Sequence, residues 1–286
     1  MSGLDRVVLR STDGASAEVH LHGAHVTSWR PALSGDERLF LSARSGFHRG
    51  AAIRGGIPVI FPQFASEGPL PKHGFARTSA WTLADERKEP DGSAVASFIL
   101  ASSAQTQAIW PATFLATLTV RVRGSTLRVE LDVANTGVET FAFTAALHTY
   151  LRVHDVRQTT LVGLRGTRYR ESGAPGVFPV DDNDSLRILG EVDRVYVGAP
   201  HHLVMREPDR ELAIEAAGFP DVIVWNPGAE RAAELKDMEP GGESRMLCVE
   251  AGAVQSPVRL HPDDQWTGSQ TLIELARDKT SATRMP

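Results

Sequence analysis

From residue 115 to residue 133 the chain reads LATLTVRVRGSTLRVELDV, an alternation of apolar and polar side chains interrupted at Gly124-Ser125. Leu118, Val120 and Val122 alternate with Thr119, Arg121 and Arg123; after the interruption, Leu127, Val129, Leu131 and Val133 alternate with Arg128, Glu130 and Asp132. A period of two puts one set on a buried face and the other in water, as a strand does and a helix does not. The two runs read as a β-hairpin. The arginines and acids of its wet face are expected to pair across the strands.

Similar short runs recur along the chain, at 6–9, 17–22, 25–30, 94–100, 140–149, 159–162, 186–188, 202–206, 212–216, 222–225, 245–251 and 255–260. Gly, Pro, Asn and Asp punctuate the intervals. No long stretch carries a 3.6-residue apolar period; 229–235 reads as a short helical turn. The expectation is an all-β protein, a large antiparallel β-sandwich. With no linker, low-complexity tract or fixed-period repeat, residues 1–286 read as a single domain, its polar end at 278–286 a flexible tail.

Composition excludes several classes. Lys and Arg number 30 against 35 Asp and Glu, a formal net charge of -5. A mildly acidic surface attracts neither nucleic acid nor an anionic membrane, though a local basic pocket is still allowed. One cysteine, Cys248, excludes an intramolecular disulfide and a cysteine-rich metal site. The first residues carry charges and no apolar core, unlike a signal peptide. No apolar run approaches the ~20 residues that span a bilayer as a helix. A soluble cytoplasmic protein is the default expectation.

Residues 53–81, IRGGIPVIFPQFASEGPLPKHGFARTSAW, break the alternation. Four glycines and four prolines among apolar residues suit neither a helix nor an inner strand. A segment so apolar and so irregular reads as a rigid, partly buried loop, the kind of element that holds polar groups toward a ligand. Arg54, His73 and Arg77 would converge on an anionic small molecule. Arg54 precedes Gly55-Gly56, where backbone could approach a ligand closely. Neither G-x-G-x-x-G nor G-x-x-x-x-G-K-[ST] occurs, so nucleotide binding has no support.

Elsewhere, Glu250 in MLCVEAG would share a strand face with Cys248; burial there would raise its pKa above ~4.3 and strengthen it as a base. From the residues alone, a structural glutamate paired with an arginine is the favoured reading. His148 in AALHTYLRV is either a proton donor and acceptor or a buried histidine bonded to a carbonyl. Asp193 in GEVDRVY could accept hydrogen bonds from sugar hydroxyls or pair with Arg194. His20, His22 and His25 form H-x-H-x-x-H, but Gly23 breaks the run and structural roles are favoured over a metal. Cys248 reads as a small core residue. The tryptophans at 29, 81, 110, 225 and 266 read mostly as core, with room for one to stack on a sugar.

Several segments together resemble one family. They are GAHVTSW at 23–29, IRGGIPVIFPQF at 53–64, LPKHGFAR at 70–77, LHTYLRV at 147–153, EVDRVY at 191–196, VIVWNP at 222–227, KDM at 236–238 and MLCVEAGAV at 246–254. In this order, nearly end to end, they resemble the hexose-6-phosphate mutarotases (glucose-6-phosphate 1-epimerases), the phosphosugar branch of the aldose 1-epimerase superfamily. The resemblance implies a galactose-mutarotase-like β-sandwich. It implies interconversion of the α and β anomers of an aldohexose phosphate, with a small sugar phosphate as partner and no metal or organic cofactor. It makes His148 and Glu250 the acid-base pair; because a hemiacetal opens with a base at the anomeric hydroxyl and an acid at the ring oxygen, Glu250 is the expected base and protonated His148 the expected acid. It gives His73 and Asp193 to substrate oxygens, Arg54 and Arg77 to the phosphate, and Gln63 to the same pocket. Gly228, after VIVWNP, departs from the bulky residue expected there. A mutarotase for free aldoses and a non-catalytic sugar-phosphate binder are the alternatives.

Overall fold

The hairpin forms as its alternation requires. Strands Phe114–Arg123 and Thr126–Asn135 pair antiparallel, with Leu118 opposite Leu131 and Val120 opposite Val129. These apolar side chains are buried. The charges of the wet face do not pair across the hairpin as expected. Arg121 stands directly opposite Arg128, and like charges so placed repel. Arg121 instead reaches Glu89 at 2.6 Å and Asp91 at 2.7 Å in the next turn, while Arg128 pairs along its own strand with Glu130.

A computed structural model describes residues 4–171 and 176–276; the tail expected at 278–286 lies outside the described residues. The described strands build three antiparallel sheets. In the largest, the order is Ser185–Arg187, Thr160–Val162, His202–Arg206, Glu211–Ala217, Gln265–Leu275, Thr126–Asn135, Phe114–Arg123, Ala94–Ala101 and Thr82–Lys88. A second runs Arg168–Glu171, Val192–Val197, Asp221–Asn226, Met246–Leu260, Phe141–Leu147 and Val59–Ile60, with Tyr150–Arg152 also paired to Met246–Leu260. Arg6–Arg10, Ser16–His20 and His25–Arg30 form the third. Leu118, Leu131 and Leu272 of the first sheet share one apolar core with Leu147, Leu247 and Val249 of the second. This is a β-sandwich, the expected architecture.

The expected runs 245–251 and 255–260 are one strand, Met246–Leu260. The break expected at 252–254 does not occur; Gln255, Ser256 and Pro257 lie instead in a register shift between Ala253 and Val258 against Phe141–Leu147, where a strand tolerates proline. The expected run 140–149 stops at Leu147 and resumes at Tyr150. The helical turn expected at 229–235 is the helix Gly228–Glu234. Gly228 has φ +63°, and a Cβ there would lie 2.8 Å from the Glu191 backbone nitrogen. The close passage of 190–191 therefore requires glycine where a bulky residue was expected.

The 53–81 segment is an irregular loop over most of its length, with the two-residue strand Val59–Ile60 and a 3-10 turn at Ala76–Thr78. Gly55, at φ +118°, passes so close to Phe40 that a Cβ would lie 2.3 Å from the Phe40 carbonyl oxygen. The close approach next to Arg54 is thus to the chain's own backbone, not to open space. No helix among the described residues is long and apolar enough to cross a membrane.

Candidate active site

The break between Leu147 and Tyr150 builds the site. Leu147 is paired with Ala251, and Tyr150 with Cys248. Residues 148–149 therefore lie alongside 249–250. The His148 amide leaves the ladder and donates to the Pro58 carbonyl at 3.0 Å, and the Val249 amide donates to the Thr149 carbonyl at 3.1 Å. This brings His148 Nδ1 to 3.2 Å from Glu250 Oε1. Both side chains are buried. The contact is not aligned as a hydrogen bond: among the described residues, neither His148 Nδ1 nor Glu250 Oε2 has a hydrogen-bond partner.

Aromatic rings fix the imidazole. Tyr150 stacks on His148 with centroids 4.8 Å apart and planes 7° from parallel. Trp225 meets the His148 ring edge-on at 6.0 Å, and His73 does so at 5.6 Å. His73 sits in the left-handed region at φ +66°. Its Nδ1 accepts from the Ala65 amide at 3.3 Å, so the neutral ring carries its proton on Nε2.

His148 and Glu250 line a cavity of about 140 Å³ together with Arg54, Lys72, His73, Asp193, Trp225 and Arg231, among others. Five of the seven residues proposed from sequence thus meet here: Arg54, His73, His148, Asp193 and Glu250. Two do not line it. Gln63 is spent on the loop, donating to the Leu70 carbonyl at 3.0 Å and accepting from the Leu70 amide at 2.9 Å. Arg77 donates to the Lys72 carbonyl at 3.3 Å. Larger hollows of about 730 and 480 Å³ flank the N-terminal strands. Neither holds a buried histidine–carboxylate contact, so chemistry rather than volume picks out the smaller cavity.

Charge gives the cavity its character. Burial, and then Asp193, push the Glu250 carboxyl well above the usual range, only partly opposed by Arg77. Burial, then His73, Arg77 and Arg54, push His148 well below the ordinary histidine value. Burial and the cations Arg77, Lys72 and Arg54 push His73 down to about 3. Lys72 is itself lowered, by burial and by Arg231, Arg77 and Arg54. For Arg54, burial opposes the charge, but Tyr150 and Asp237 outweigh it and raise its pKa. Arg54 donates to the Tyr150 hydroxyl at 3.0 Å and through Nε to Asp237 at 3.2 Å. Lys72 and Arg77, each lowered in part by neighbouring cations, stand with Arg54 beside the histidine–glutamate pair and create a positive potential that an anion would relieve.

An aldose 1-epimerase family model matches residues 5–272. The chain belongs to the aldose 1-epimerase family. A protein of Cenchrus ciliaris provisionally named glucose-6-phosphate 1-epimerase is 35% identical over 280 residues, covering 95% of this chain and 85% of that one. A crystal structure of a provisionally named mutarotase from Salmonella typhimurium superimposes with a TM-score of 0.88 at 29% identity, covering 97% of this chain and 92% of that chain. A galactose 1-epimerase from Lactobacillus acidophilus has the same fold, with a TM-score of 0.73 at 12% identity over 94% of each chain.

As an aldose 1-epimerase, the protein is an isomerase with the galactose-mutarotase-like sandwich. Its chemistry is ring opening and closing at an anomeric carbon, which needs one group to take a proton and one to give it. The epimerase fold brings several residues to the cavity that sequence reasoning did not assign to it. Lys72 looks like an ordinary solvated loop lysine, and Arg231 belongs to a short helix. Trp225 reads as core. Only the neighbours of Lys72 and Trp225, inside the segments LPKHGFAR and VIVWNP, could have marked those two.

Proposed function

We propose that this epimerase interconverts the α and β anomers of a hexose 6-phosphate, glucose 6-phosphate foremost, by acid-base ring opening. The observation that carries the reading is the buried His148–Glu250 contact at 3.2 Å in a cavity also lined by Arg54, Lys72 and Arg231. A free sugar offers no counter-charge for that cation cluster; a phosphate dianion does. Arg54 presents a planar guanidinium already fixed by Tyr150 and Asp237, so little freedom is lost on binding the anion.

Glu250 takes the proton of the anomeric hydroxyl while His148 delivers one to the ring oxygen. The C1–O5 bond breaks and an aldehyde forms. Rotation about C1–C2 presents the other carbonyl face, and closure with the proton transfers reversed gives the opposite anomer. His73 Nε2–H and the Asp193 carboxylate hold sugar oxygens. Burial and the adjacent cations disfavour a protonated His148 in the empty pocket. A phosphate dianion offsets Arg54 and Arg77, so substrate binding itself favours the imidazolium acid. Remote phosphate contacts then help assemble the reacting pair rather than only holding substrate.

Saturation transfer between the two anomeric proton signals of glucose 6-phosphate tests this reading. Exchange well above the enzyme-free rate, and faster than with glucose, is expected. Exchange no faster than the control would leave a sugar-phosphate binder; equal rates on glucose and glucose 6-phosphate would leave a general aldose mutarotase.

A further inference from the structure

Cys248 takes no part in the mechanism, yet it shares a strand face with Glu250 two residues on and is paired in register with Tyr150 and Trp225, which flank His148. One donor atom each from His148, Cys248 and Glu250 lies within 4.8 Å of the others, and all three residues are buried. Among the described residues no other three histidine, cysteine or acidic side chains meet this condition. His148 Nδ1 and Glu250 Oε2 have no hydrogen-bond partner among the described residues.

We propose that His148, Cys248 and Glu250 form a site for a thiophilic divalent metal ion, Zn²⁺ above all, and that the ion shuts off the epimerase by occupying its acid-base pair. Imidazole nitrogen, thiolate sulfur and carboxylate oxygen are the ordinary donors of zinc, at about 2.0–2.3 Å. Around a tetrahedral ion such donors stand roughly 3.3–3.6 Å apart. The histidine–glutamate separation of 3.2 Å is already there; rotation of the Cys248 side chain supplies the remaining contraction. The fourth position is left for water or a sugar hydroxyl.

Charge and softness select the ion. One thiolate and one carboxylate neutralise Zn²⁺, so no net charge is buried. Mg²⁺ and Ca²⁺ demand six or more oxygens and find a single carboxylate here. Binding forms metal–nitrogen, metal–sulfur and metal–oxygen bonds. It releases the thiol proton and any proton held between His148 and Glu250, with no change of oxidation state. The inhibitory half of the proposal rests on the acid-base reading of His148 and Glu250; the binding half does not.

Co²⁺ is the probe for binding. Added to the full chain, it is expected to give a thiolate-to-cobalt charge-transfer band saturating at one ion per chain, to lose it when Zn²⁺ is added, and to give none with Cys248→Ala. Anomer exchange is read in parallel. Zn²⁺ should inhibit wild type at least tenfold more tightly than Cys248→Ala, EDTA should restore activity, and Mg²⁺ should do nothing. Cys248→Ser, closer in shape, checks by circular dichroism and metal-free activity that the loss is not misfolding. Absence of the band, or equal Zn²⁺ potency on wild type and Cys248→Ala, overturns the proposal. A cobalt band without any anomer exchange would instead sink the catalytic reading and leave the metal site standing.

Discussion

Gln270 donates from Nε2 to the Val249 carbonyl at 3.0 Å, reaching across the sandwich from the opposite sheet. Its Oε1 accepts from the Thr149 hydroxyl. Thr149 follows His148 and Val249 precedes Glu250, so one buried amide ties together the two backbone segments that carry the proposed acid-base pair. Gln270→Leu would leave the Val249 carbonyl unpaired in the core and the Thr149 hydroxyl with only its long contact to the Leu147 carbonyl at 3.5 Å, at about 1–3 kcal/mol. A lower unfolding midpoint is expected, with kcat reduced more than KM because the pair loses its alignment. An unchanged kcat in a folded variant would show that the amide only stabilises the sandwich.

The cation cluster should act on the phosphate and not on the sugar. Arg54→Met or Lys72→Met removes a charged contact of about 1.5–3 kcal/mol, so KM for glucose 6-phosphate should rise roughly 10- to 100-fold. KM for glucose should move little. Tyr150→Phe keeps the ring stacked on His148 but removes the acceptor of Arg54; a smaller rise, severalfold, is expected because Asp237 still holds the guanidinium. The check is steady-state kinetics on both sugars. Parallel losses on glucose and glucose 6-phosphate would count against an anion site.

Much of the sandwich is legible wherever one face is buried and the other wet, as at 114–135. It is illegible where that contrast fails. Thr82–Lys88, TLADERK, is an edge strand whose residues are all exposed, so it shows no alternation. Gln265–Leu275 opens with a polar stretch containing Gly268, and its pairing partners alone make it a strand. At the site, neither His148 nor Glu250 is marked by local pattern; a structural role fits His148 equally well and Glu250 better, and the resemblance is what joins them. Their contact depends on a strand break at 148–149 whose cause, the His148 amide turning to Pro58, is a tertiary event. Gln63 shows the opposite limit. Its place in a motif suggested a ligand contact, but its amide braces Leu70.

Glu250→Gln separates chemistry from binding. The amide keeps the shape and loses the basic oxygen, so kcat should fall by about 10²–10⁴ while affinity for glucose 6-phosphate, read by calorimetry, stays within a few fold. Because burial raises the Glu250 pKa, the base gains its proton at higher pH than an ordinary carboxylate would. The acid limb of the wild-type kcat profile should therefore lie above the usual carboxylate range. A variant that keeps full turnover would remove Glu250 from the reaction.

Two histidines buried in neutral form make the fold itself acid-sensitive. His25 contacts the Gly55 carbonyl through Nε2 at 2.7 Å, and its buried Nδ1 has no hydrogen-bond partner among the described residues. Protonation would place an unpaired charge in the core. Burial holds His25, like His73, down to about 3, against about 6.5 in an unfolded chain. Between those values the unfolded state binds protons that the native state does not. This contribution to stability is present in full above about pH 6.5 and is lost as pH falls toward 3. Each histidine should take away about 1.4 kcal/mol per pH unit well inside that window. Urea unfolding from pH 6 to pH 5 lies above the range where most carboxylates titrate, and comparison with a His25 variant cancels what Glu250 and His148 contribute there. His25→Gln retains a donor for the Gly55 carbonyl but cannot titrate, so the slope of stability against pH should fall by about one proton's worth. An identical slope in the variant would mean that His25 takes up its proton without unfolding the chain.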